Sequence, residues 1–163
     1  SRSFVPSVRK GVTQACTEGI IAGYGVVDVK VDFYDGKEHP VDSKDMAFQI
    51  AGKQAFREAF KAAKPCLLEP IMHVEIMVPE EFMGAVMGDL NSRRGKIQGM
   101  DTDGAFQVVK AHVPQMDLYK YSTNLRSLTE GRGLHTEALS HYENMPREME
   151  QKVIASNQSN GEE

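Results

Sequence analysis

A chain of 163 residues can fill one domain or two small ones, and 40% hydrophobic content is ordinary for a water-soluble globular protein. The net charge of -4 argues against broad, unspecific binding to nucleic acid. No apolar run is long enough to span a bilayer, and no charged-then-apolar leader opens the sequence, so a cytoplasmic protein with no membrane partner is expected. Cys16 and Cys66 stand alone, without Cys-x-x-Cys or a regular spacing to histidine; this excludes a zinc motif and suggests two buried thiols in a reducing compartment. With nine Met and no Trp, a soft core filled by flexible side chains is expected.

The first segment predicts a helix with Pro6 in its first turn, a stripe of Val5, Val8, Val12 and Ala15, and a stop at Gly19. From Tyr24 to Tyr34 the alternation predicts a strand, with Val27, Val29, Val31 and Phe33 on one face and Asp28, Lys30 and Asp32 on the other. Asp35-Gly36 is a hairpin signal leading to a short strand, which Pro40 confines to an edge. Ser43 is the expected N-cap of a helix reaching about Ala63. Its Phe48, Phe56 and Phe60, alternating with Ala51, Ala55 and Ala59, suit packing on a sheet. One strand cannot cover two apolar helices, so residues 1–66 look like half a domain.

From Leu67 to Pro146 the order is strand, helix, strand, strand, helix, strand. Met72, Val74, Ile76 and Val78 share a strand face; Pro79-Glu80-Glu81 opens a helix striped by Met83, Val86, Met87 and Leu90. Arg93 and Arg94 sit at its end, where Gly95 suits a left-handed cap. Strands at Lys96–Met100 and Ala105–Val113 flank the turn Asp101-Thr102-Asp103-Gly104. A second helix starts at Pro114 or Asp117, with Leu118, Tyr121, Leu125 and Leu128 on one side, and a last strand spans Gly131–Tyr142. This is the βαββαβ pattern of a ferredoxin-like sandwich in an α+β protein. His135 and Glu137 occupy a face of the last strand where large apolar residues are expected. Residues 147–163 are expected to be a polar, partly disordered tail, holding with Glu143 five acids and two bases.

Three stretches are more specific than the fold. Leu67-Leu68-Glu69-Pro70-Ile71-Met72, Gly88-Asp89-Leu90-Asn91-Ser92-Arg93-Arg94-Gly95 and Leu125-Arg126-Ser127-Leu128-Thr129-Glu130-Gly131-Arg132-Gly133 resemble the C-terminal domain (domain V) of bacterial elongation factor G, in that family's order and spacing. Phe4-Val5-Pro6, Gly23 to Lys30 and Tyr34 to Ser43 are similar to the later part of its domain IV, which has a fold like ribosomal protein S5 domain 2. The resemblance implies that the missing strands of the first half lie before Ser1.

No chemistry is written in the residues themselves. There is no Gly-x-x-x-x-Gly-Lys-Ser/Thr loop, no Gly-x-Ser-x-Gly and no His-Glu-x-x-His, and the five histidines are scattered. Catalytic, cofactor-binding and metal-binding residues are therefore expected to be absent from this chain. The resemblance places GTP and magnesium in a GTPase domain outside it. It also implies that His39, with Asp35, Gly36 and Lys37 shaping its turn, lies at a tip that enters the decoding site beside transfer RNA and messenger RNA. Taken alone, His39 is a polar residue past a hairpin, and Arg93, Arg94 and Lys96 are a solvated helix end. The resemblance instead assigns Arg93, Arg94 and Lys96, with Arg126 and Arg132, to large-subunit ribosomal RNA, as phosphate contacts. Expected partners are the ribosome and the protein's own N-terminal domains, with the protein a monomer. The alternatives are a paralogue acting in ribosome recycling or ribosome protection, and a free-standing ferredoxin-like RNA-binding module.

Overall fold

The structure, a computed structural model, describes residues 2–159. The chain divides into two compact units: one holds the residues up to Cys66 together with those from Pro146 onward, the other is Leu67–Met145.

In the first unit, helix α1 (Val5–Glu18) follows a 3-10 turn at Arg2–Phe4 and ends at Gly19, whose φ of +77 glycine accepts without strain. Helix α2 spans Asp45–Ala62. The two pack against each other rather than on a sheet. Their seam is set by small residues: a Cβ on Gly11 would run into the Gln49 carbonyl, and one on Gly52 would lie 2.8 Å from the Val8 carbonyl. The buried face of α1 is accordingly Ser7, Val8, Gly11 and Ala15, not the all-apolar stripe expected, and Val5 stays 39% exposed. On α2, Phe56 is buried and Phe48 stacks on Phe4 at 4.3 Å, while Ala51, Ala55 and Ala59 face solvent. Ser43 does not cap α2. Lys44 takes the cap position, and Asp45 in the first turn accepts from the Ser7 hydroxyl at 3.0 Å.

The expected strand at Tyr24–Tyr34, its hairpin and the short strand after it do not form a ladder among the described residues. Two physical reasons combine. Asp28 adopts φ +56, which breaks the extended run, and no neighbouring strand supplies backbone partners. Val27, Val29, Val31 and Phe33 are left 46–61% exposed. The segment expected as a tail is instead helical through Ser159. Helix α5 (Arg147–Ser159) has Glu148 and Glu150 in its first turn, and it half-buries Met149, Val153, Ile154 and Asn157. Those positions recur at i, i+4, i+5 and i+8, a stripe diluted by polar neighbours. Asn157 Nδ2 donates to the Ala22 carbonyl at 2.9 Å. Asn160–Glu163 lie outside the described residues.

The second unit is an antiparallel sheet covered by helices. Its elements are β1 (Leu68–Pro79), a 3-10 turn (Glu80–Phe82) running into α3 (Met83–Ser92), β2 (Lys96–Asp103) and β3 (Phe106–Pro114). A second 3-10 turn (Gln115–Leu118), α4 (Tyr121–Leu128) and β4 (Leu134–Asn144) follow. Strand order is β2-β3-β1-β4, so β1 is central and β4 pairs with it alone. This is the ferredoxin-like α+β arrangement. Val74, Ile76 and Val78 meet Val86, Leu90, Val109, Ala111, Val113, Tyr121 and Leu125 in one core, each at most 1% exposed. No methionine belongs to that buried set; Met72 and Met83 only flank it, so the core is stiffer than composition suggested. The turn after β2 is tighter than expected, closing at Gly104-Ala105 with φ +63 at Gly104. The last strand's two anomalous residues pair with each other. His135 Nε2 lies 2.9 Å from Glu137 Oε1, and the imidazole meets the Tyr121 ring edge-on at 5.0 Å, filling the place of an apolar side chain.

Candidate nucleic-acid interface

On the first unit the residues of interest lie in the exposed run between α1 and α2. His39 is held at both ends. Its N–H donates to Ser43 Oγ at 2.7 Å, and its Nδ1 accepts from the N–H groups of Val41 and Asp42, each at 3.3 Å. These contacts fix the orientation of the ring from its Nδ1 side. The Asp42 carboxylate lies 3.4 Å from the same nitrogen, and the side chain is 66% exposed. The result is an imidazole of fixed orientation, offering its flat face and Nε2 to solvent. Asp35 accepts from the Gly36 N–H at 2.8 Å, and the Phe33 ring packs over Gly36, so the expected hairpin is replaced by a local side-chain turn. Lys37 is exposed. Asp35, Gly36 and Glu38 border a cleft of about 370 Å³ floored by Phe4, Val8 and Phe48.

On the second unit the five cations singled out from the sequence separate into two kinds. Arg93 closes α3: its Nε is 2.8 Å from Asp89 Oδ2, its Nη1 donates to the Asp117 carbonyl at 2.6 Å, and its guanidinium lies 5.0 Å from the Tyr121 ring centre. Arg94, not Gly95, takes the left-handed position, with φ +58. Its guanidinium grips Glu69 through two bonds of 2.8 and 3.0 Å and Asp117 Oδ2 through Nε at 2.8 Å and Nη2 at 2.7 Å. Hydrogen bonding to Glu69 drives the Arg94 pKa still higher. Gly95 is required for another reason: its N–H reaches back to the Leu90 carbonyl at 2.8 Å, and a Cβ there would stand 2.7 Å from that oxygen. Arg132 pairs with Glu81 at 2.6 Å and covers the Phe82 ring at 4.6 Å. Lys96 and Arg126 are different. Lys96 is 72% exposed and only 3.8 Å from Glu143 Oε2, and Arg126 projects from the exposed face of α4.

The register brings together what the sequence scattered. His73 and His112 are cross-strand partners with rings 5.6 Å apart, and His141 lies 5.3 Å from His112. His73 and His141 each meet a carboxylate two residues along, Glu75 at 3.2 Å and Glu143 at 2.8 Å. The hydrogen bond from His141 holds the Glu143 carboxyl below its usual range. His112 lies between the two other rings and near Lys96, and burial followed by those charges pushes its pKa down. Spacings of 39 and 29 residues carry no signal; only strand pairing reveals the cluster. Among the described residues no group of histidine, cysteine or carboxylate side chains is arranged to hold a metal ion, and no helix is long and apolar enough to cross a membrane. Cys66 is exposed rather than buried, and burial raises the thiol pKa of Cys16.

Two family models match end to end: elongation factor G domain IV over residues 1–64 and elongation factor G C-terminus over residues 66–153. A curated relative, elongation factor G of Aquifex pyrophilus, is 54% identical over 153 residues, which is 94% of this chain and 22% of that protein. The chain thus spans about a fifth of that relative's length. A crystal structure of a protein from Thermus thermophilus is similar at a TM-score of 0.82 and 37% identity, covering 97% of this chain and 24% of the other.

Proposed function

Because this chain belongs to the elongation factor G family, across its domain IV and its C-terminal domain, we propose that it is the ribosome-engaging portion of a translational GTPase that moves transfer RNA and messenger RNA. The observation that carries this reading is the unbroken succession of the two domain matches, joined by 54% identity to elongation factor G over 153 residues. GTP and magnesium belong, in this account, to a domain elsewhere in the longer protein, and this portion works by contact alone.

The first unit is the arm that enters the decoding site. His39 suits that task because its backbone and Nδ1 are already tied, so docking orders little further and leaves the ring face and Nε2 for a base or a ribose hydroxyl. Asp35, Gly36 and Lys37 shape and charge the approach. The second unit is the brace toward large-subunit RNA and the protein's other domains. Of the five cations, Lys96 and Arg126 keep their charge on the surface and are assigned to phosphate contact. Arg132 can contribute only from its exposed side, and Arg93 and Arg94 act mainly by holding the surface in shape. The factor is cytoplasmic and monomeric in this reading.

Binding of the chain to 70S ribosomes tests it. Affinity should fall on His39→Ala and fall steeply with added salt, because phosphate contacts release counterions. A chain that binds neither subunit would overturn the proposal.

A further inference from the structure

Between the 3-10 turn Gln115–Leu118 and helix α4 lie two residues, Tyr119 and Lys120. Their neighbours on either side are anchored in the core: Leu118 is 8% exposed and Tyr121 1%. So short a link between two buried anchors must protrude, and Tyr119 stands 75% exposed. Lys120 adopts φ +55, a left-handed conformation that an L side chain takes only under local compulsion. Its ammonium lies 5.2 Å from the Tyr119 ring centre.

The mount beneath this knuckle is rigid. Asp117, two residues before Tyr119, receives Arg93 on its carbonyl at 2.6 Å and Arg94 on its carboxylate at 2.7 and 2.8 Å, and Arg94 is tied in turn to Glu69. The Asp117 carboxylate is thus turned onto Arg94, which it shares with Glu69, and so is held in a fixed position. The exposed neighbours Lys120, Ser122 and Thr123 are polar, so the ring presents one flat aromatic face beside a cation.

We infer that the Tyr119–Lys120 knuckle is a base-contacting RNA site of the second unit, with the tyrosine ring stacking on an unpaired base and the lysine meeting the adjoining phosphate. This inference rests on the ribosome-engaging reading above and adds a base contact to it, where Lys96 and Arg126 supply only charge. An aromatic platform held in place before contact loses little freedom on stacking.

The test measures binding of the chain and its variants to 70S ribosomes, with chemical protection of large-subunit RNA bases as a second readout. Tyr119→Ala should weaken binding about tenfold and remove one base protection, whereas Tyr119→Phe, which keeps the ring, should bind within about twofold of the parent. Lys120→Gly, which suits the left-handed backbone, should lower the slope of log affinity against log salt by about one. Because both side chains are outside the core, thermal unfolding should be unchanged in Tyr119→Ala. If the parent binds and Tyr119→Ala binds equally well, the inference is overturned while the ribosome reading stands. Weakened binding with every base protection intact would place the ring against a ribosomal protein and overturn the RNA assignment. A parent chain that binds neither subunit would remove the ribosome reading and this site with it.

Discussion

Removing the Arg94 guanidinium should destabilise the second unit selectively, by an amount that the geometry allows to be worked out. Arg94 is 31% exposed but its partner Glu69 is only 5% exposed, so Arg94→Ala leaves a carboxylate enclosed without its cation. Breaking a buried pair costs about 3–5 kcal/mol and an exposed one about 0–1. The asymmetric burial here, with Asp117 also losing a partner at 25% exposure, points to about 3 kcal/mol. Backbone strain separates two variants. At φ +58 an alanine keeps the left-handed penalty of about 1–2 kcal/mol, while glycine escapes it but loses roughly 0.5–1 kcal/mol in unfolded-chain entropy. Arg94→Gly should therefore be about 0.5–1 kcal/mol less damaging than Arg94→Ala. Native-state hydrogen exchange reads this unit by itself, which a single melt of a two-unit chain does not. The slowest amides of β1 and β3 should exchange roughly 100-fold faster in Arg94→Ala, since 1.4 kcal/mol is about tenfold. An increase below about fivefold, or a glycine variant less stable than the alanine one, would refute the assignment of Arg94 as a buried tie.

Three other consequences follow from the packing and the ionisation. Gly11→Ala should prise α1 from the Gln49 carbonyl at a cost of at least 1–3 kcal/mol, roughly the range for overpacking, seen as faster amide exchange in α1 and α2 but not in the sheet. Thr129→Val should cost about 1–3 kcal/mol, because the buried Thr129 Oγ1 accepts the Gly133 N–H at 2.8 Å and valine leaves that donor unpaired; urea midpoints read by the near-ultraviolet signal of Tyr121 check it. His112 is held below the usual 6.5, so the fold favours its neutral ring: this stability is complete above about pH 6.5 and is lost as pH falls through the lowered value. Amide exchange in β3 and β4, corrected for intrinsic pH effects, should show weakening on acidification, and His112→Phe should flatten that slope despite the remaining charges of His73, Glu75, His141, Glu143 and Lys96.

The second unit was legible because each of its elements meets its needs locally or through an alternation that only one face can bury. Val74, Ile76 and Val78 lie on one face, Val86 and Leu90 on one helix stripe, and the turn signals fall at the strand ends. The first unit resisted because a strand is a pairwise object: Val27 to Phe33 have the right alternation, yet without a ladder partner and with Asp28 left-handed they remain exposed coil. Helix α5 was hidden by composition, since its packed stripe is thin and includes Asn157. At the candidate interface, motif resemblance singled out five cations but could not say which of them are engaged by carboxylates. That depends on Glu69, Asp89 and Asp117, carboxylates at separations of 25, 4 and 23 residues from the arginines they meet. The left-handed turn at Arg94 rather than Gly95 likewise follows from those ties, which outweigh the usual preference for glycine.

Hydroxyl-radical probing from position 37 shows directly whether the first unit enters the decoding site. In a chain with Cys16 and Cys66 replaced and Lys37→Cys introduced, an iron chelate on the new thiol would be bound to ribosomes carrying transfer and messenger RNA. Cleavage of small-subunit RNA at the decoding site is expected, lost when parent chain competes. Cleavage confined to other regions, or none from a chain that demonstrably binds, would contradict the decoding-site arm.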